Sequence, residues 1–466
     1  MPEKQFVFLG ALTSSFNIMK IYSDFILKFE QANWSKNPEF GLIDTILEQN
    51  PDILLLIKSD VLGDSKNNHL GRGDVPSLEQ IMRAAIYKEL KGYEYRELAY
   101  AQEDSRICEM FVKLDRRHPY SFQMYQKYIS RISSDSLQKL LLRLNEIAIG
   151  EGLEDIKKIR QDSTVVETNI HYPTNNSLIW DCIERSHKLL SKLESELPRF
   201  GYINYLKSAK RTYFKINVTK GRYKKEKQKE LFYKQLNVFT KTINNLSNAI
   251  KKKSFYEQNP KSLALLSVIE KFIPLCRKVY SQAERFQIQG EKVPNSEKVF
   301  SIYEEHTAII CKGGRAAEFG HKVDLVTGKS NLILDCQIFE DNISDKLLYT
   351  PALARLEKNY DKVPESVVTD GGYASKANSD FAKGMGIKNI VFNKVTQSMK
   401  NVVSSLNMET RLKKWRSGIE ANISNLKRGF NLRRVNWRGF EGFKAKVLWS
   451  VIAYNIRVMT RRMILD

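Results

Sequence analysis

The stretch "IRQDSTVVETNI", residues 159–170, decides the fold class of this chain. Alternate residues from Asp162 to Ile170 fall on one face of an extended chain, and the segment is rich in β-branched residues. This period of two predicts a β-strand. The strand carries one acidic side chain, Asp162, among apolar and β-branched neighbours.

Further strand patterns begin only at about residue 303, and they alternate with helical patterns over residues 320–395. The segment "FGHKVDLVTGKSNLILDCQIF" (319–339) reads as two strands joined by a glycine-containing turn, and "ESVVTD" (365–370) reads as another. Alternating strands and helices predict an α/β layer. Because the first strand comes so much earlier, we predict that the helical region between them is an insertion into one α/β domain.

The chain is thereby divided into four predicted regions. They are an accessory helical segment (1–70), a helical DNA-binding domain (71–150), the α/β domain (151–178 plus 300–466) and a basic helical insertion (179–299). In the second region, Ser77 and Gln80 form a capping-box pattern, and Gly92 is expected to end that helix. Short helices with tight polar turns follow, which is typical of helix-turn-helix modules and equally of small helical bundles.

The net charge of the chain is strongly positive. Its 75 Lys and Arg residues outnumber 53 Asp and Glu residues, which gives +22 and a pI near 9.5. Such a field attracts polyanions, so nucleic acid is the expected partner. The segment "LKSAKRTYFKINVTKGRYKKEKQK" (206–229) has ten bases and one acid, too few acids for pairing along a helix. We predict a phosphate-facing surface there, with Lys210, Arg211, Lys224 and Lys225.

The sequence argues against disulfides, a zinc site, a membrane span and a nucleotide-binding loop. The five cysteines form no C-x-x-C pair, which suits free thiols in a reducing cytosol better than disulfides or a zinc site. No apolar run approaches the ~18 residues of a membrane span, so we expect a soluble, cytoplasmic protein without membrane contact. The glycine-bearing "CKGGRAAEFG" (311–320) lacks the spacing of a phosphate loop, so no nucleotide cofactor is expected.

Three acidic residues stand out by their positions. Asp162 lies on the first strand, Asp370 ends a strand just before Gly371–Gly372, and Glu420 lies in "WRSGIEANISNLKRGF" (415–430), which reads as one helix. Taken singly, each has an ordinary structural explanation as a turn residue, a backbone acceptor or an exposed ion-pair partner. If they converge, they offer three hard oxygen ligands for one or two Mg²⁺ ions.

The helix predicted at 415–430 carries both positive and negative side chains on one face. Arg416, Glu420 and Lys427 fall within about 40° of one another at 3.6 residues per turn. An adjoining apolar stripe, formed by Ile419, Ile423 and Leu426, is expected to dock on the sheet and deliver the carboxylate to the two strand aspartates.

Three segments, "DSTVVETNIHYPT" (162–174), "TDGGYAS" (369–375) and "RSGIEANISNLKRGF" (416–430), resemble the catalytic blocks of prokaryotic insertion-sequence DDE transposases. The resemblance runs from about residue 76 to the end and is closest to the group called ISNCY. In related families the third block reads Tyr-x2-Arg-x3-Glu-x6-Lys. Here Arg416, Glu420 and Lys427 match it, whereas Lys413 stands in place of the tyrosine.

The resemblance implies an RNase H-like core, an α/β fold with a mixed sheet flanked by helices. It implies a metal-binding catalytic triad of Asp162, Asp370 and Glu420, with two Mg²⁺ ions per site and Mn²⁺ as a substitute. The expected partners are double-stranded DNA, as terminal inverted repeats and as target, and a second copy of the chain in a synaptic complex associated with the prokaryotic nucleoid. Cations expected on DNA are Arg416, Lys427, Arg428, Arg433 and Arg434, besides the four in the insertion.

Rival functions remain compatible with the same residues. An RNase H-like nuclease that cuts without joining needs the same three acids. A non-catalytic DNA-binding regulator derived from a transposase keeps the fold without cleavage. A basic RNA-binding protein would not need acids at these three places.

Overall fold

The computed structural model describes residue 34 and residues 37–63, 75–114, 119–197, 200–221, 223–252, 259–311, 316–394 and 400–465. Much of the predicted accessory segment, and most of the boundary predicted near residue 70, lie outside the described residues. No helix in these ranges is both long and apolar enough to cross a membrane.

A mixed seven-stranded sheet lies at the centre of the α/β domain. Its strands are β1 (Lys158–Thr168), β2 (Ala308–Ile310), β3 (Glu318–Thr327), β4 (Ile333–Phe339), β5 (Ser366–Asp370), β6 (Asn389–Asn393) and β7 (Arg434–Val435). The order is β2-β3-β1-β5-β6, with β4 paired to β3 and β7 to β1. β1 is antiparallel to β3 and parallel to β5, which is parallel to β6. This arrangement is consistent with the RNase H-like core that the resemblance implies.

The strand predicted at 159–170 is confirmed, although it ends two residues early. The backbone N–H of Ile170 donates to the carbonyl of Thr168 at 2.8 Å, and this tight turn leaves the extended conformation. The strands predicted at 319–339 and 365–370 are also present.

Helices precede the sheet in the chain. They are α1 (Pro38–Gln49), α2 (Asp52–Leu55), α3 (Lys58–Leu62), α4 (Leu78–Lys91), α5 (Tyr95–Asp104), α6 (Arg106–Val112), α7 (Phe122–Ile129) and α8 (Ser134–Gly150). The capping box predicted at α4 is present, with Ser77 and Gln80 satisfying each other's backbone N–H groups. Gly92 ends α4 with a φ of 70°, a conformation that favours glycine.

Between β1 and β2 the chain forms four long helices, α9 (Asn175–Glu196), α10 (Leu206–Val218), α11 (Lys224–Lys251) and α12 (Pro260–Gln287). Their apolar faces pack into a hydrophobic cluster of their own, which includes Ile183, Phe239 and Ile269. The described part of the region between the first two strands is therefore mainly helical and has a hydrophobic cluster of its own. Its role as an insertion into one domain stays a prediction.

The rest of the α/β domain contains α13 (Tyr349–Tyr360), α14 (Lys376–Gly384), α15 (Leu406–Arg416), α16 (Gly418–Gly429) and α17 (Gly439–Leu465). The prediction of one helix over residues 415–430 is wrong, because the helix is divided at Ser417. The division has a physical cause: the buried guanidinium of Arg160 donates to the carbonyl of Trp415 and lies against the Cα of Gly418.

The last helix completes a core that begins near the start of the described chain. Residues of α1, α4, α8, α17 and the sheet belong to one hydrophobic cluster. Inside it, Lys446 of α17 and Lys88 of α4 both pair with Glu89, at 2.5 and 2.9 Å, and all three side chains are buried. Burial alone would raise the pKa of Glu89, but the two ammonium groups hold it below its usual range.

Candidate active site

Asp162 and Asp370 lie side by side on neighbouring parallel strands. Gln161 of β1 is in register with Thr369 of β5, so each aspartate follows a paired residue. β5 ends at Asp370, whereas β1 continues to Thr168. The first two acids predicted from the sequence therefore meet at the carboxyl end of β5, where α/β sheets bind their ligands.

Arg416 joins these aspartates to the third predicted acid. Its Nη2 lies 3.0 Å from Oδ2 of Asp162 and 3.8 Å from Oδ2 of Asp370, and its Nη1 donates to Oε1 of Glu420 at 2.9 Å. The Arg416 side chain is 8% exposed, against 17% for Asp162, 45% for Asp370 and 63% for Glu420. The three carboxylates thus surround one guanidinium, from its buried side to its open side.

A second arginine positions the helix pair that carries Arg416 and Glu420. Arg160, two residues before Asp162 on the same face of β1, is buried, and burial lowers its pKa to about 10. Its guanidinium donates to Thr327 Oγ1 and to the carbonyl of Trp415, and it stacks on the Trp415 ring with its Cζ 4.6 Å from the centroid. A Cβ at position 418 would collide with this guanidinium, which explains the glycine there.

The turn after Asp370 is anchored by an acid that sequence reasoning missed. Tyr373 Oη donates to Oδ1 of the buried Asp324 at 2.8 Å, and Gln161 Nε2 donates to Oδ2 at 2.7 Å. Burial raises the pKa of Asp324 to about 7. The signal was present, because Asp324 stands between Val323 and Leu325 in a predicted strand, the same context that made Asp162 conspicuous.

Another carboxylate, that of Asp345, lies beside the aspartate pair. It accepts from Ser163 Oγ at 3.0 Å and pairs with Lys322 Nζ at 2.9 Å. A Cβ added to Gly372 would meet its Oδ2 at 3.2 Å. The glycine therefore keeps the turn close to Asp345, and the lysine offsets part of the negative charge next to the site.

The donor set suits a hard divalent cation, although the carboxylates contact Arg416 in this structure. Three carboxylates are the ligands that Mg²⁺ and Mn²⁺ prefer. Within the described residues, no group of three His, Cys, Asp or Glu side chains lies close enough to hold a metal. Nε of Arg416 is buried and has no hydrogen-bond partner among the described residues, so the carboxylates satisfy its guanidinium only in part. The three carboxylates fit such a cation if the Arg416 side chain moves away from them.

The remaining cations predicted to contact DNA occupy different surroundings. Arg428 and Arg433 are exposed, Lys427 is half-buried, and Arg434 Nη2 pairs with Glu167 at 2.8 Å beside β1. The four cations predicted in the insertion, Lys210, Arg211, Lys224 and Lys225, are exposed. The structure thus brings Arg416 to the carboxylates, whereas the four predicted insertion cations lie on the surface of the helical insertion.

Residues 286–456 match the family model for the transposase DDE domain. This part of the chain is similar to a transposase DDE domain. This family match covers Asp370 and Glu420, whereas Asp162 lies before it, on the far side of the insertion. The comparisons with curated proteins and with solved structures found no match. The assignment of Asp162 to the same site therefore stays a prediction, supported by the sheet register and by its contact with Arg416. The closer grouping with ISNCY also stays a prediction.

Proposed function

We propose that this chain is a DNA transposase that binds the ends of an insertion sequence, cleaves the phosphodiester bond there and joins the freed 3′-OH to target DNA. The observation that supports this most directly is the convergence of Asp162, Asp370 and Glu420 on Arg416. An acidic triad is the usual means of holding divalent cations for phosphoryl transfer, and the family match is independent of that geometry.

The proposed roles follow from where each side chain lies. Asp162, Asp370 and Glu420 would hold two Mg²⁺ ions, which supply Lewis acidity to the attacking and leaving oxygens. Arg416 would exchange the carboxylates for the scissile phosphate, because its planar guanidinium binds either group through two parallel hydrogen bonds. Asp345 and Lys322 would keep the turn after β5 in place. No covalent bond between protein and DNA is required.

The proposed DNA partner accounts for the charge of the chain. Exposed Arg428 and Arg433 would contact the DNA backbone beside the site, and the insertion cations would extend that contact. Recognition of the element end would come from the helices at 77–132. Two ends must be brought together, so we propose a homodimer in the working complex.

The test is a cleavage assay with purified protein and a labelled duplex carrying the flanking element end, with Mg²⁺ or with EDTA. We expect nicking at the end with Mg²⁺ and loss of nicking in Asp370→Asn, whereas Asp380→Asn should cleave normally. Asp380 is a matched control because it is an exposed acid of the same domain, 3.6 Å from Lys383. Nicking without strand joining would favour a nuclease, and end binding without cleavage under any metal would favour a regulator.

A further inference from the structure

Helix α10 of the insertion has an unusual outer face. At about 100° per residue, Lys207, Arg211, Phe214 and Val218 fall within about 60° of one another. Ala209 and Ile216, which point about 180° away, are buried in the insertion core. Phe214 is nevertheless 52% exposed and Val218 is 69% exposed. The helix therefore presents two large apolar side chains on the side opposite the one that holds it in the protein.

Cations surround these apolar side chains. Lys210 and Lys215 lie on either side of the apolar stripe, at about −60° and +80° from Lys207. The sequence contains no Asp or Glu between Glu196 and Glu226. None of Lys207, Lys210, Arg211 and Lys215 forms an ion pair with an acid of the described chain, in contrast to Arg434, which is paired with Glu167.

Hydrogen bonds fix α10 to α9, the first helix of the insertion. Nδ2 of Asn176, in the first turn of α9, donates to the carbonyl of Tyr213 at 3.0 Å and to Oδ1 of Asn217 at 2.9 Å. α9 begins seven residues after β1 ends, at Asn175 and Thr168. α10 is thus fixed to the helix that follows the strand carrying Asp162.

The charge of this face decides among its possible occupants. A second copy docked by the same face would bring two sets of cations together, which opposes association. Duplex DNA offers phosphates for the cations and base edges for the apolar side chains. From Lys207 to Val218 the stripe is about 16 Å long, which spans roughly five base pairs. The major groove admits an α-helix, and phosphate backbones border it on both sides.

We infer that α10 lies in the major groove of duplex DNA, with Lys210 and Lys215 on the two backbones and Phe214 and Val218 against base edges. The inference rests on the proposed function. It adds contacts with base edges to a surface whose cations alone would bind only the phosphates. Apolar side chains touch the thymine methyl group in this groove, so the expected preference is for A·T-rich sequence.

The experiment measures the fluorescence anisotropy of short labelled duplexes, A·T-rich and G·C-rich, with the full-length chain over a range of salt concentrations. Phe214→Ala should weaken binding to the A·T-rich duplex about tenfold and leave the salt dependence unchanged. The double variant Lys210→Gln/Lys215→Gln should reduce the slope of log affinity against log salt by about 2. Phe286→Ala is the matched control, because Phe286 is 51% exposed in the same insertion, and it should bind as the wild type does.

Equal affinities for Phe214→Ala and Phe286→Ala would overturn the inference, even if Mg²⁺-dependent nicking by the wild type upholds the proposed function. A wild type that binds neither duplex would overturn the inference alone, because the proposed function is tested on the duplex that carries the element end. Two other results, each with unchanged DNA affinity, would overturn the inference in favour of another partner. If Phe214→Ala loses a dimer that light scattering detects in the wild type, the partner is a second copy of the chain. If Phe214→Ala loses binding to anionic phosphatidylglycerol vesicles, the partner is a lipid surface. A Phe214→Ala defect in DNA binding, in a protein that never nicks, would contradict only the proposed function.

Discussion

Arg416 contacts the three carboxylates that would hold a metal, and its positive charge would repel that metal, so its removal should tighten metal binding. We consider Arg416→Gln, which keeps a long polar side chain and loses the charge. A cation held about 2 Å from the carboxylate oxygens would lie about 5 Å from the guanidinium, whose nitrogens are 2.9 to 3.8 Å from those oxygens. Repulsion between charges of +2 and +1 at about 5 Å is about 1.7 kcal/mol in water and larger at lower dielectric constant.

Because Asp370 and Glu420 are well exposed, the repulsion calculated for water, about 1.7 kcal/mol, is the appropriate value. We therefore expect Arg416→Gln to bind Mg²⁺ or Mn²⁺ at least about tenfold more tightly than the wild type. In EDTA the same variant should be less stable by about 1–3 kcal/mol, because the half-buried carboxylate of Asp162 loses its charged partner. Metal should then raise the melting temperature of the variant more than that of the wild type.

Calorimetric titration with MgCl₂ and thermal melts in EDTA would measure both effects. Arg411→Gln is the control, since Arg411 is an exposed arginine on the same helix. Unchanged or weaker metal binding in a folded Arg416→Gln protein would refute the reasoning. It would mean that the main effect of Arg416 is to order Glu420 for the metal and not to repel the metal.

Three further changes test how the site and the core are built. Gly418→Ala should displace the buried Arg160 guanidinium and cost about 1–3 kcal/mol in chemical denaturation, whereas Gly384→Ala, with open space around it, should be close to neutral. Because the pKa of Asp324 is raised to about 7, its contribution to stability is present below about pH 4 and is lost as the pH rises through about 7. Asp324→Asn should therefore flatten this decline in stability, measured as the melting temperature at a series of pH values. Glu89→Gln should destabilise the protein by about 3–5 kcal/mol at neutral pH, because two buried lysines lose their carboxylate; a change under 1 kcal/mol would contradict this account of the core.

The strands and their acids were predictable because their signals are local. Alternating β-branched residues mark β1 around Asp162, and an apolar run ending before two glycines marks Asp370. The capping box at Ser77 is likewise a four-residue pattern. In each of these cases the residues that determine the conformation are neighbours in sequence.

Features that depend on distant residues could not be predicted in the same way. The break at Ser417 is caused by Arg160, a residue of β1 on the other side of the insertion. The position of Arg416 among three acids depends on the register between β1 and β5 and on how the helix docks. Asp324 has the local signal of an acid within a strand. Its role was missed because that role depends on Tyr373, which lies on another element.

The buried contact between Lys446 and Glu89 also has a consequence for how the chain folds as it is made. The two residues are 357 positions apart in sequence. At roughly 5–20 residues per second, a ribosome needs about 20–70 s to make the second partner after the first. During that time Glu89 and the apolar face of α4 lack the helix that covers them. Synthesis of this protein should therefore pass through an intermediate that is open to proteases and to aggregation until α17 emerges.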